Sequence, residues 1–172
     1  MKRVGFVAAL VLLPAGILVL ANLPFRALPD GVRADRIIVE KSRHRLTLVA
    51  NGQTLTSYPV AFGRSAMGAK VCQGDQRTPE GNYRIDARNP RSAFHLGLHI
   101  SYPNAKDRAR SRRAGCRPGG EIMLHGLPNG LGWVGRLHRL VDWTSGCIAV
   151  TNPEIGEIWR VVPVGTPIEI RP

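Results

Sequence analysis

Thr144-Ser145-Gly146-Cys147-Ile148-Ala149-Val150 is a polar turn that breaks into an apolar run. Its last four residues read as a strand entered directly from Ser-Gly, which puts the Cys147 thiol at the rim of a sheet. Gly146 lets the backbone come close to a bound carbonyl. A thiol attacks as its thiolate, and its free pKa is about 8.5, so a reactive cysteine needs a base nearby. A second short strand over 121–124 delivers His125-Gly126, the best-placed base in the chain. On the residues alone two readings stay open: a nucleophile with its base, or an inert buried thiol.

Strand patterns continue outward from this pair. Residues 36–40 form a short β run. Leu46, Leu48 and Ala50 alternate with Thr47 and Val49, Asn51-Gly52 follows, and a second run covers 53–62. That is the strongest local hairpin signal a sequence can carry. A long polar loop over 63–81 leads to a strand over 82–85. Phe94, Leu96, Leu98 and Ile100 then alternate with His95, Gly97, His99 and Ser101, a two-faced strand. Residues 131–140 read as a short helix. Asn152 as N-cap with Pro153 at N1 opens another, running to about Val162. Residues 168–170 close as a last strand. The expected fold is mainly β, one domain with one or two short helices.

Composition sets the outer bounds. The chain has 172 residues, enough for one domain. With 44% hydrophobic and 21% charged residues it is neither disordered throughout nor a polytopic membrane protein. Lys plus Arg is 24 against 12 Asp plus Glu, a net charge of +12, which suits a polyanionic partner: nucleic acid, anionic lipid or anionic cell wall. Met1-Lys2-Arg3 precedes an uncharged apolar run over 4–23, the pattern of an export leader or an N-terminal membrane anchor. Export, together with the lack of a stacking motif, removes nucleic acid from the choice. No cysteine follows the run, which excludes a lipoprotein anchor. Ala21 marks the one passable cleavage point.

A metal site drawn from His95, His99, His125 and Cys147 fails on spacing. His95 and His99, four apart on a strand, lie roughly 13 Å from each other. No metal and no cofactor is expected.

Several separated motifs, in order, carry a resemblance. They are Gly74-Asp75-Gln76-Arg77-Thr78-Pro79-Glu80-Gly81, Arg88-Asn89-Pro90, Phe94-His95-Leu96, Ile100-Ser101-Tyr102-Pro103-Asn104, His125-Gly126-Leu127-Pro128-Asn129, the stretch 142–152 and Gly165-Thr166-Pro167-Ile168. Over roughly 36–170 the chain resembles the YkuD-type L,D-transpeptidase catalytic domain, in its short YafK-like and ErfK-like branch. The family's active-site pattern is a histidine, a spacer, then Ser/Thr-His-Gly-Cys. His125 and Thr144-Ser145-Gly146-Cys147 fit it, with Ser145 where a second histidine is usual and Ala149 where Arg or Asn is common.

The resemblance implies a β-sandwich and a thioester mechanism on peptidoglycan stem peptides. Cys147 would be the nucleophile and His125 the general base and acid. Gly126 would orient the imidazole, and the backbone at Ser145, Gly146 and Cys147 would hold the oxyanion. It also implies substrate-binding positions at Arg77, His95, His99 and Asp142. The outcome is cross-linking or protein attachment; the alternatives are a hydrolase of the same family and a catalytically inactive wall-binding module. The implied organisation is a leader or anchor over 1–23, a linker over 24–35 and the catalytic domain over 36–171. The protein would then work in the periplasm or cell envelope, released or held at the inner membrane, against the cell-wall polymer.

If Cys147 is the free thiol, Cys72 and Cys116 are either a disulfide or two buried thiols. The arginine-rich stretch over 108–117 is a solvated loop or short helix, or a basic patch beside the cleft that attracts anionic stem peptides or the wall.

Overall fold

A computed structural model describes residues 16–23, 27–65 and 67–172. Most of the apolar run, residues 4–15, and part of the linker lie outside the described residues. Among the described residues no helix is long and apolar enough to cross a membrane.

Eight strands form one sheet. They are β1 (Arg36–Glu40), β2 (Arg45–Ala50), β3 (Gln53–Pro59), β4 (Gly81–Ser92), β5 (His95–Ile100), β6 (Met123–His125), β7 (Ile148–Ala149) and β8 (Pro167–Arg171), in the spatial order β3-β2-β1-β8-β4-β5-β6-β7. β2 and β3 meet at the Asn51-Gly52 turn with Ala50 opposite Gln53. Alternation does the rest: Ile37 and Val39 of β1 pair in register with Ile168 and Ile170 of β8, and all four are buried. Each such aliphatic side chain contributes about 2 kcal/mol by leaving water.

β4 is longer than its sequence suggests, because it joins both halves of the sheet. Its first residues pair with β8 and its later ones with β5, and the register shifts between Asn89 and Ser92. Pro90 sits inside that shift, where a missing N–H costs no ladder bond. The sheet then curls until its edges meet. The chain leaving β3 bridges at Ala61 to Ala149 and at Gly63 to Thr144. This closure is what brings the stretch before β7 against the segment after β3.

Besides a helical stretch at 16–21, two α-helices lie between the strands among the described residues. α1 (Ala105–Arg113) settles the arginine-rich stretch as a helix, capped by Asn104, whose side chain accepts from the Lys106 and Asp107 N–H groups. α2 (Asn152–Val161) packs Ile155, Ile158 and Val161 inward, toward β5. Its N-cap is Thr151 and not Asn152. The Thr151-x-x-Glu154 spacing forms a capping box in which the Glu154 carboxylate accepts from the Thr151 N–H at 2.9 Å. That frees the Asn152 side chain for another bond, described below. The expected helix over 131–140 is two 3-10 turns over Gly132–Leu140, broken at Gly135, whose φ of 52° and ψ of −135° no helix can contain.

Candidate active site

β6 and β7 run parallel, with Leu124 opposite Ile148 and His125 opposite Ala149. Carrying that register one residue back sets Cys147 beside Met123. Partners across a ladder point to the same face, and so do residues two apart. Cys147 and His125 therefore share one face, on diagonal positions whose Cα atoms are roughly 8 Å apart by strand geometry. The next strand extends the row: Gly97 of β5 stands opposite His125, and His99 opposite Met123.

His125 is buried, and its Nδ1 lies 2.7 Å from the Gly126 carbonyl oxygen. A carbonyl only accepts, so Nδ1 carries the proton and Nε2 keeps the basic lone pair. Phe94 and Trp143 pack on the ring, at centroid distances of 4.4 and 5.8 Å. Burial lowers the pKa of His125 below the ordinary imidazole value, against the raising effect of the Gly126 bond. The Cys147 thiol donates to the Glu121 carbonyl at 3.6 Å, and burial raises its pKa, with the Met123 N–H bond pulling the other way. At rest the pair is a neutral thiol beside a neutral imidazole.

Thr144 braces the turn before Cys147. Its hydroxyl donates to the Cys147 carbonyl at 2.8 Å and accepts from the Gly146 N–H at 3.1 Å. The Gly146 N–H is thus already engaged, which leaves those of Ser145 and Cys147 without a partner among the described residues. Gly146 has φ +127°, and a Cβ there would lie 2.6 Å from the Arg77 carbonyl oxygen, so only glycine fits.

The loop carrying Arg77 forms the facing wall. Lys70 and Asp75 pair at 2.7 Å, and the Asp75 carboxylate also accepts from the N–H groups of Val71, Cys72 and Arg77. Desolvation opposes ionisation of Asp75, but Lys70 and these N–H groups outweigh it and lower its pKa. Cys72 and Cys116 form a disulfide with a Cα separation of 5.6 Å, which ties this loop to the end of α1, while Cys147 is the free cysteine.

The four expected binding positions separate. His99 shares the face of Cys147, with Nδ1 2.5 Å from Asp86 Oδ1. Arg77 is exposed beside Gly146. His95 is exposed at φ 66°, and its N–H donates to Asn129 Oδ1. Asp142 is occupied as a brace, accepting from the Phe62 N–H at 2.7 Å and facing His44 Nε2 at 3.0 Å. Ser145 is exposed at the turn. Sequence reasoning missed His138 and the organising role of Asn152. His138 Nδ1 accepts from Trp143 Nε1–H at 3.4 Å, and burial pushes its pKa down to about 4. Asn152 Oδ1 accepts from the Leu127 N–H, two residues past His125. Among the described residues there is no cluster of three metal-ligating side chains.

A buried histidine and a rim cysteine share one face of adjacent parallel strands at the end of a curled, mainly-β sheet. The model of the YkuD L,D-transpeptidase catalytic domain matches residues 34–170, and the chain belongs to that family. YafK of Escherichia coli (strain K12) is 33% identical over 113 residues, which are 64% of this chain and 38% of YafK. The chain thus spans little more than a third of that relative. Among solved structures, the helical cell shape determining protein Pgp2 of Campylobacter jejuni superposes with a TM-score of 0.61 at 21% identity, covering 89% of this chain and 53% of Pgp2. Bdellovibrio bacteriovorus Bd1075 follows with a TM-score of 0.55 at 26% identity, covering 87% and 52%. An L,D-transpeptidase of Xylanimonas cellulosilytica gives 0.53 at 14% identity, covering 85% and 64%.

Proposed function

We propose that the protein is a cysteine-dependent acyltransferase of the cell envelope acting on peptidoglycan stem peptides. The observation that carries this reading is the shared face of Cys147 and His125, with Nδ1 of the imidazole held by Gly126 O so that Nε2 is the basic nitrogen. The Cys147 sulfur attacks the carbonyl at the L-centre of a diaminopimelate residue while His125 takes the thiol proton. The tetrahedral oxyanion is held by the Ser145 and Cys147 N–H groups, at about 3 kcal/mol per donor. Collapse breaks the C–N bond, the departing amine takes the proton from His125, and a thioester remains. An incoming amine then attacks the thioester carbonyl and passes a proton to His125; the C–S bond breaks as the new amide forms, and the Cys147 sulfur takes that proton back. His99 and Arg77 lie where a stem peptide would run.

Incubating the protein with purified muropeptides and weighing the products by mass spectrometry tests the reading. The expected result is a cross-linked product that disappears in Cys147→Ala, with a carbapenem-type β-lactam adding its mass at Cys147 in the native chain only. Release of shortened peptides without cross-links would make the protein a hydrolase through the same thioester. Failure to form either product or the adduct would leave a wall-binding module.

A further inference from the structure

The large apolar side chains left in water gather in one place. Among the described residues, eight of the ten fall on two stretches: Ile17, Val19, Leu20 and Leu23 near the N-terminus, and Leu131, Trp133, Leu140 and Val141 around the 3-10 turns. A patch of this kind on an otherwise charged surface marks an interaction site. The two stretches touch. Asn22 Nδ2 donates to the Trp133 carbonyl at 2.9 Å, and the Arg136 guanidinium donates to the Leu23 carbonyl at 3.0 Å. A Cβ on Gly135 would lie 2.5 Å from the Ala21 carbonyl oxygen, and Ala21 itself is 7% exposed. Cleavage after Ala21 would strip that packing away.

The last residues of the uncharged run, Ala21 to Leu23, therefore lie against the domain's surface at Trp133 and Arg136. Whatever medium receives that run lies beside Trp133, Leu140 and Val141, which are 59%, 79% and 65% exposed. Trp together with flanking Arg136 is the composition of a membrane–water boundary. The chain's charge of +12 suits anionic headgroups. We infer that the surface formed by Leu131, Trp133, Leu140 and Val141 seats on an anionic lipid bilayer beside the N-terminal run. Leu131 and Val141 line a cavity of about 240 Å³ with His138 and Trp143, so the seat lies next to the wall that holds His125. The contact is independent of the acyltransferase reading.

Depth-sensitive fluorescence tests it on the full chain. The protein is reconstituted in vesicles of phosphatidylcholine and phosphatidylglycerol with plain or brominated acyl chains. Bromine quenches only indoles in contact with the hydrocarbon. Emission is expected to fall at least two-fold in brominated lipid, and Trp133→Phe should remove most of that quenching, because Trp143 and Trp159 are half-buried whereas Trp133 is 59% exposed. Leu140→Ser with Val141→Ser should reduce the quenching of Trp133 while the chain stays vesicle-bound. Equal quenching in the native chain and Trp133→Phe would overturn the inference. So would an unquenched Trp133 in a chain that cross-links to itself across this patch, which would make it an interface between copies. Recovery of the natural chain beginning at Asn22 would overturn it as well.

Discussion

The wall around His125 is aromatic and uncharged, whereas the wall around Lys70 and Asp75 is ionic and covalently tied. Phe94 and Trp143 pack on the His125 ring and His138 packs on Trp143; burial lowers the pKa of both imidazoles, helped at His138 by Arg139 and opposed there by Glu154. Across the turn at Gly146, Asp75 stays ionised because Lys70 and three backbone N–H groups reach it, and the Cys72–Cys116 disulfide anchors the loop from outside. The difference follows from what each wall must do. On the proposed reading His125 is a base that gains and loses a proton during turnover, and among the described residues no charged group acts on its ring, so none would lock one state. A frame must keep its shape, so its charge is paired and its backbone cross-linked.

The sharpest way to break this comparison is His125→Gln. It should slow acylation of Cys147 by a carbapenem-type probe 10²- to 10⁴-fold, the range of a general base, with little change in thermal midpoint. A loss of only a few-fold would show that the aromatic wall holds no base. Next in size is the covalent tie. Cys72→Ser with Cys116→Ser should cost about 3–4 kcal/mol in urea unfolding, from the loop of 44 residues that the bond closes. An unchanged unfolding midpoint would make the disulfide ornamental to the frame.

Acid sharpens the contrast, since the two walls answer in different windows. His125 and His138 have folded pKa values below their unfolded ones, so the unfolded chain takes up protons first as pH falls. The stability that these residues contribute is complete above about pH 6.5 and is lost below it, for His138 as pH falls toward about 4. Asp75 also has a lowered folded pKa, but its contribution is complete above about pH 4 and is lost only below that. Hydrogen exchange at pH 5 should therefore loosen 125–143 before 70–77, and the reverse order would refute the assignment. The smallest effect belongs to α1. Arg112→Glu with Arg113→Glu, both exposed, should weaken sacculus binding a few-fold at low salt and leave it unchanged at high salt. Binding indifferent to both would reduce the helix to a solvated face.

Local chemistry was legible wherever it depends on neighbours in sequence. The Asn51-Gly52 hairpin, the two-faced strand over 95–100 and the strands that end in His125 and begin after Cys147 follow from period-2 alternation and turn residues. The meeting of the Gly126 carbonyl with the imidazole is instead what the family resemblance implies, and Nδ1 lies 2.7 Å from that oxygen. Where the reading slipped, two local signals competed: Asn152-Pro153 is a good helix start, but Thr151 with Glu154 is a reciprocal cap and prevailed. Asp142 accepts from the Phe62 N–H and faces His44, contacts that no local pattern announces.

The sequence by itself determined the alternation, the turns, the thiol and imidazole, and the pool of three cysteines. Only the tertiary structure decided which of these meet. Curling of the sheet set Gly63 against Thr144 and so placed the Arg77 loop at Gly146. The same closure brought Cys72 and Cys116, 44 positions apart, to a Cα separation of 5.6 Å. Alternation is written into each strand by the pleat. Long-range pairing depends on how much apolar surface the whole sheet buries at once, and that is a property of no single segment.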